Sequence, residues 1–223
     1  MFIWRRRSFS VAEIMVEVKE VTKKFKENTA LDHVSLSFEK GKIHGVIGRN
    51  GSGKTVLFKC ICGFMVPNSG TILVQGKPVK PSAPQDMGII IEEPGFINSM
   101  SGYKNLKLLA AVRKTISEEE IKEVLKKVGL DPDSKKGVGT YSLGMKHRLG
   151  IAQAIMEKPP LLLLDEPMNG LDKHGVVEIR KLLRELNEEG ITIIMSSHYM
   201  EDIEELCDTV TEMDQGKIVE EMP

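Results

Sequence analysis

The 223-residue sequence predicts an α/β fold, with a mainly parallel sheet, an antiparallel β subdomain at the N-terminal end and an inserted α-helical subdomain. Three observations carry this expectation. Short apolar strand patterns alternate with helical ones through most of the chain. A glycine-rich loop at residues 48–55 joins an apolar strand to a helix. A mostly helical block, residues 94–158, lies between two continuously apolar runs, 88–91 and 161–164, which read as core strands covered on both faces.

Residues 16–21 alternate apolar and charged side chains, as a half-buried strand does, and Val34, Leu36 and Phe38 repeat that period. A tight turn at 39–42 leads into the strand 43–47. The helix opened by the glycine loop runs from Lys54 to about Phe64 and ends before Pro67-Asn68-Ser69-Gly70. Residues 71–74 read as a strand, and 76–86, with three prolines, as an irregular connection. Within the helical block, Ser117 and Glu120 form a capping box, each able to satisfy a backbone N–H of the other's residue. A second helix spans 142–157. Strand–helix alternation then resumes: strand 161–164, helix 176–187 with Gly190 beyond its end, strand 191–196 and helix 200–207. Asp214-Gln215-Gly216 marks a closing hairpin between 209–213 and 217–219.

Composition narrows the functional classes. Hydrophobic residues make up 41% and charged residues 28% of the chain, and 31 basic residues face 32 acidic ones, for a net charge of −1. This balance gives no basic face of the kind nucleic-acid binding requires. No apolar run approaches the roughly 18 residues of a membrane span, so any membrane role is expected to come through a partner. The three cysteines read as buried thiols in a reducing cytoplasm. Residues 1–14, opening MFIWRRR, lack the apolar region of a signal peptide; they read as a flexible extension, with an interfacial anchor as the alternative. Residues 15–223 read as one domain.

The chemistry gathers at strand ends. Gly48, Arg49, Asn50, Gly51, Ser52, Gly53, Lys54 and Thr55 match G-x-x-x-x-G-K-[ST]. Glycines let successive backbone N–H groups turn toward phosphate oxygens, and the helix adds its positive end. Lys54 supplies a cation to the β and γ phosphates, and Thr55 offers a hydroxyl to Mg²⁺. The loop is a specific signal, and it implies ATP and Mg²⁺ as ligands. The run 161–164 ends in Asp165 and Glu166, at the sheet edge where open α/β folds bind ligands. Asp165 is expected to hold Mg²⁺ and Glu166 to accept a proton from the attacking water. His198 follows another core strand and is a candidate γ-phosphate sensor; a surface or filler histidine is the alternative.

The ordered set GRNGSGKT, YSLGMKHR, LLLLDEP, NGLD and SSH resembles the nucleotide-binding subunit of ABC transporters across residues 16–219. The resemblance implies a P-loop NTPase (RecA-like) core and an ATPase. It also implies a second nucleotide-binding subunit and a separate transmembrane permease subunit, at the cytoplasmic face of the membrane. The segment Ser142, Leu143, Gly144 and Met145 matches the family signature that closes over ATP held by the opposite subunit. Leu143 stands where the family has its first glycine and Met145 where it has glutamine. Phe25 matches the aromatic that stacks on adenine, with core packing as the alternative. Asp172 matches the loop at the dimer interface, with a helix N-cap before Gly175 as the alternative. Glu92 departs from the family's usual glutamine. Its carboxylate is expected to help hold Mg²⁺, or else to face solvent. Here, and in YSLGM, the chain is more similar to exporters of bacitracin- and lantibiotic-immunity type, implying export of a peptide, drug or similar amphipathic compound. A solitary cluster-assembly ATPase is the alternative.

Overall fold

A computed structural model describes residues 13–81, 86–92 and 94–222. Residues 1–12 of the expected extension lie outside the described residues, but Ile14 already belongs to the first strand and pairs with Glu39.

Two sheets form. The first is antiparallel, in the order β2–β1–β4–β5, from β1 (Ile14–Phe25), β2 (Asn28–Glu39), β4 (Ser69–Val74) and the short β5 (Lys77–Pro78). β5 lies within the proline-containing connection, which is therefore not wholly irregular. The second sheet is ordered β10–β9–β3–β8–β7–β6, from β3 (Ile43–Ile47), β6 (Gly88–Ile90), β7 (Leu161–Leu164), β8 (Thr192–Ser196), β9 (Thr209–Asp214) and β10 (Lys217–Met222). Its pairings are parallel except for the terminal β9–β10 hairpin.

Every residue of β7 and β8 is buried. Their alternate side chains enter different clusters, as the period of two requires. Leu162, Leu164, Ile193 and Met195 pack toward the helical insert, whereas Leu161, Leu163 and Ile194 join the side built with the antiparallel sheet. Fully burying one such leucine stabilises by about 1.5–3 kcal/mol. The sheet is thus cemented on both faces, and its strand ends are held in fixed relation.

α1 (Lys54–Ile61) follows β3. It stops short of Phe64: Gly63 takes φ +77°, and Phe64 is left 69% exposed. The insert contains α2 (Gly102–Arg113), α3 (Glu118–Lys127), a 3₁₀ turn (Val138–Thr140) and α4 (Leu143–Ile155). The capping box of Ser117 and Glu120 is present. Leu106, Ile121, Leu125 and Leu149 bury the insert's inner faces. β6 and β7 pair in parallel across this long excursion, Gly88 opposite Leu162. α5 (Lys173–Glu188) and α6 (Met200–Leu206) complete the chain's helices among the described residues.

Candidate nucleotide site

The β3–α1 loop is shaped by contacts that exclude side chains at two positions. A Cβ on Gly48, at φ +146°, would sit 2.2 Å from the Met213 carbonyl oxygen. One on Gly53, at φ +109°, would sit 2.6 Å from that of Ala30. Gly53 also occupies the N-cap of α1, so no side chain engages the first-turn N–H groups of the helix. Those groups and the helix dipole form a site for an anion. Lys54 is nearly buried, and its Nζ donates to the carbonyls of Gly48 (2.7 Å) and Arg49 (3.3 Å). The Ser52 hydroxyl is buried without a partner, a polar group awaiting an acceptor or donor. Arg49 and Asn50 are exposed, and Gly51 turns the loop at φ +81°.

The ends of β7 and β8 supply the acids. Thr55 Oγ1 donates to Asp165 Oδ2 at 2.7 Å, and Ser196 Oγ donates to Asp165 Oδ1 at 2.6 Å. The Glu166 N–H donates to Ser196 Oγ at 2.9 Å. Ser196 was not singled out as a site residue from the sequence, although it opens SSH; its role depends on a partner strand. Glu166 takes φ +54°, a conformation rare for a side-chain-bearing residue and associated with functional sites. Its Oε1 lies 2.9 Å from His198 Nε2. No donor meets hydrogen-bond geometry at that oxygen, so the contact is one of proximity. Burial pushes the Glu166 carboxyl above its ordinary range; His198 and Lys54 oppose the shift and Asp165 reinforces it.

Most of these residues line one cleft of about 770 Å³, whereas Gly48, Arg49 and Ser196 do not line it. It is lined by Phe25, Asn50 to Thr55, Asp165, Glu166 and His198, together with Asn28, Thr29 and Gln215, which the sequence did not nominate. Phe25 is 44% exposed and not a core residue; Lys23 Nζ lies 5.3 Å from its ring centroid. The donor set suits Mg²⁺, which typically takes one or two carboxylates plus substrate phosphate oxygens. A carboxylate and a hydroxyl in direct contact, beside a phosphate-sized anion site, offer that set.

Other candidates stand apart. Glu92 does not line this cleft. It takes φ +61°, and its largely exposed carboxylate pairs with Lys59 Nζ of α1 at 2.5 Å. Its neighbour Glu93 lies outside the described residues. Ser142 caps α4, its Oγ accepting from the Met145 N–H at 3.2 Å. Leu143, half exposed, packs against Gly170, and Gly144 approaches the Gly170 carbonyl. None of the segment 142–145 enters the cleft of its own chain. Asp172 caps α5, its Oδ1 accepting from the Gly175 N–H at 2.7 Å.

Comparison with known proteins accords with this geometry. A family model described as ABC transporter matches residues 31–169. The chain is 43% identical to the uncharacterized ABC transporter ATP-binding protein YybJ of Bacillus subtilis, covering 92% of this chain and 94% of that one. It is 42% identical to the bacitracin transport ATP-binding protein BcrA of Enterococcus faecalis (95% and 70% covered). It is 38% identical to the lantibiotic transport ATP-binding protein SrtF of Streptococcus pyogenes (92% and 89%). Among solved structures, cbiO1 from Clostridium perfringens, part of the ABC transporter complex cbiONQ, superposes with a TM-score of 0.81 at 31% identity, covering 94% of this chain and 88% of that one. A dimeric ATP-binding cassette in a post-hydrolysis state with ADP and Pi shares the fold, with a TM-score of 0.84 at 24% identity and coverage of 93% and 97%. The chain belongs to the ABC transporter family, as an ATP-binding subunit with ATPase activity.

Proposed function

We propose that this chain is the motor of an exporter. It hydrolyses ATP at the cytoplasmic face of a membrane and drives a peptide, drug or similar amphipathic compound through a separate transmembrane subunit. The observation that carries the hydrolytic half is the joined constellation Thr55–Asp165–Ser196–Glu166–His198, which sets a metal-binding pair beside a buried carboxylate.

In this reading the loop N–H groups and Lys54 bind the β and γ phosphates, and Phe25 stacks on adenine. Thr55 and Asp165 hold Mg²⁺. When bound, that cation neutralises phosphate charge and polarises the γ-phosphoryl group. Glu166 takes the proton of the attacking water, a role its raised pKa suits because a stronger base accepts a proton more readily. His198 orients Glu166 and senses the γ-phosphate. Ser142 and the start of α4 close over ATP held by a second copy, which accords with their position outside their own cleft.

The transport half rests on the relatives named for bacitracin and lantibiotic transport, and on a second surface. A cavity of about 470 Å³ opens between α2, the end of β6 and the end of α4, and Phe64, Leu109 and Val112 stand exposed around it. Phe96, in the loop after β6, is half buried against the insert's core. The exposed trio is therefore the better seat for a helix of the membrane subunit. Val112→Asp tests this: Val112 is 81% exposed, so folding and basal ATPase should persist while co-purification and transport are lost. Unaltered transport in Val112→Asp would reject the docking surface.

A further inference from the structure

The turn that carries His198 has no apolar anchor of its own. His198, Tyr199 and Met200 are all exposed. Along the chain the nearest buried apolar groups are Met195 in β8 and Ile203, a turn into α6, and Tyr199 only borders an open cavity beside Met168 and Leu171. Yet His198 Nε2 stands 2.9 Å from Glu166 Oε1, a placement that a loosely held turn would not keep. Something polar must fix it.

The fixing group is a buried network on the side away from the cleft. The Tyr199 N–H donates to Ser197 Oγ at 3.0 Å, and Ser197 Oγ donates to Asp202 Oδ2 at 2.8 Å. Asp202 is 1% exposed, and its other oxygen receives two bonds from Arg180 of α5, from Nε at 2.9 Å and Nη2 at 2.6 Å. Arg180 is itself 8% exposed, and its Nη1 reaches the exposed Glu205 at 2.7 Å.

A buried ion pair is a poor device for stability alone. The cost of desolvating both charges commonly matches their attraction, and well-packed apolar replacements are often neutral or stabilising. What such a pair does supply is direction: a planar guanidinium whose Nε and Nη2 both donate to one carboxylate oxygen fixes where that oxygen sits.

We infer that the Arg180–Asp202 pair is the positioning element of His198, locking through Ser197 the turn from which His198 reaches Glu166 and tying that turn to α5. This rests on the reading of His198 and Glu166 given above. α5, capped by Asp172, follows the loop that leaves Glu166, so the pair ties the His198 turn to the helix next in the chain after Glu166.

The test replaces the pair by apolar residues, Arg180→Met with Asp202→Leu, and also makes Ser197→Ala, which keeps the ion pair but removes its side-chain link to the turn, leaving only the Asp202 N–H donating to the Tyr199 carbonyl. Each is compared with wild type and with His198→Ala by thermal melting and steady-state ATP hydrolysis. The expected result is a melting temperature near that of wild type, KM for ATP unchanged, and kcat lowered roughly tenfold to a hundredfold, the scale on which small misplacements act. In the His198→Ala background the same changes should lower kcat no further, because the group they position is gone. Folded variants that keep wild-type kcat, or that lower it equally with and without His198, overturn the inference. If the double variant does not fold, Ser197→Ala decides by the same criteria. A damaging His198→Ala beside silent pair and Ser197 variants removes the inference and leaves the reading of His198 standing; wild-type turnover in His198→Ala removes both.

Discussion

Glu166→Gln separates binding from chemistry within one side chain. The backbone constraints do not change: the N–H at 166 still donates to Ser196 Oγ, and Ser196 still donates to Asp165. The phosphate loop and Lys54 are untouched, so ATP affinity should be retained. What disappears is the proton acceptor, and loss of a general base slows turnover by roughly 10²-fold or more, about 2.7 kcal/mol of barrier. A second readout follows from burial. The Glu166 carboxyl is raised above its ordinary value of 4.5, chiefly by desolvation. A carboxyl with a higher pKa folded than unfolded binds more protons in the folded state, so its contribution favours folding at acid pH and is lost as pH climbs through the folded pKa. At neutral pH the ionised group therefore destabilises the fold, and Glu166→Gln should melt above wild type there. The gap should shrink as pH falls through the raised pKa toward 4.5. In wild type, kcat should fall as the pH drops through the same raised pKa, because the base becomes protonated. Single-turnover phosphate release, equilibrium ATP binding and pH-dependent melting measure these three quantities. Turnover near wild type in Glu166→Gln would refute the assignment of the base, and a lower melting temperature at neutral pH would refute the account of its burial.

Lys54→Ala should weaken ATP binding itself. A hydrogen bond to a charged group contributes about 1.5–3 kcal/mol, so Kd should rise roughly 10- to 150-fold in a titration with a fluorescent ATP analogue. Glu92→Gln should leave the Mg²⁺ concentration giving half-maximal hydrolysis unchanged, because the Glu92 carboxylate lies outside the cleft and pairs with Lys59. A raised Mg²⁺ requirement, with turnover recovered at saturating Mg²⁺, would instead give the carboxylate the metal role expected from its place in the sequence.

The core sheet and the cleft were legible because their signals are local. GRNGSGKT spells its own conformation, and LLLLDEP states both a buried strand and the acids at its end. What stayed hidden depended on partners distant in sequence. Lys59 is 33 residues from Glu92, and Arg180 is 22 from Asp202, so neither pairing leaves a periodic trace. Phe25 was ambiguous because an aromatic at the end of an alternating strand satisfies both core and cleft; the β1–β2 turn leaves it on the cleft. α1 ended early because Gly63 approaches the Lys80 carbonyl at a positive φ, a tertiary contact that the apolar run through Phe64 concealed.

In the proposed function, one chain holds half of a composite catalytic site and Ser142 of a second copy completes it. The most direct measurement is light scattering of the Glu166→Gln chain with ATP and Mg²⁺, alone and combined with Ser142→Arg, alongside equilibrium ATP binding. A composite site predicts a species of twice the 24.9 kDa chain mass that forms only with ATP. It also predicts that Ser142→Arg abolishes that species while each chain, by itself, still binds ATP. A chain that stays monomeric with ATP bound, and whose wild-type turnover per chain does not depend on protein concentration, would contradict it.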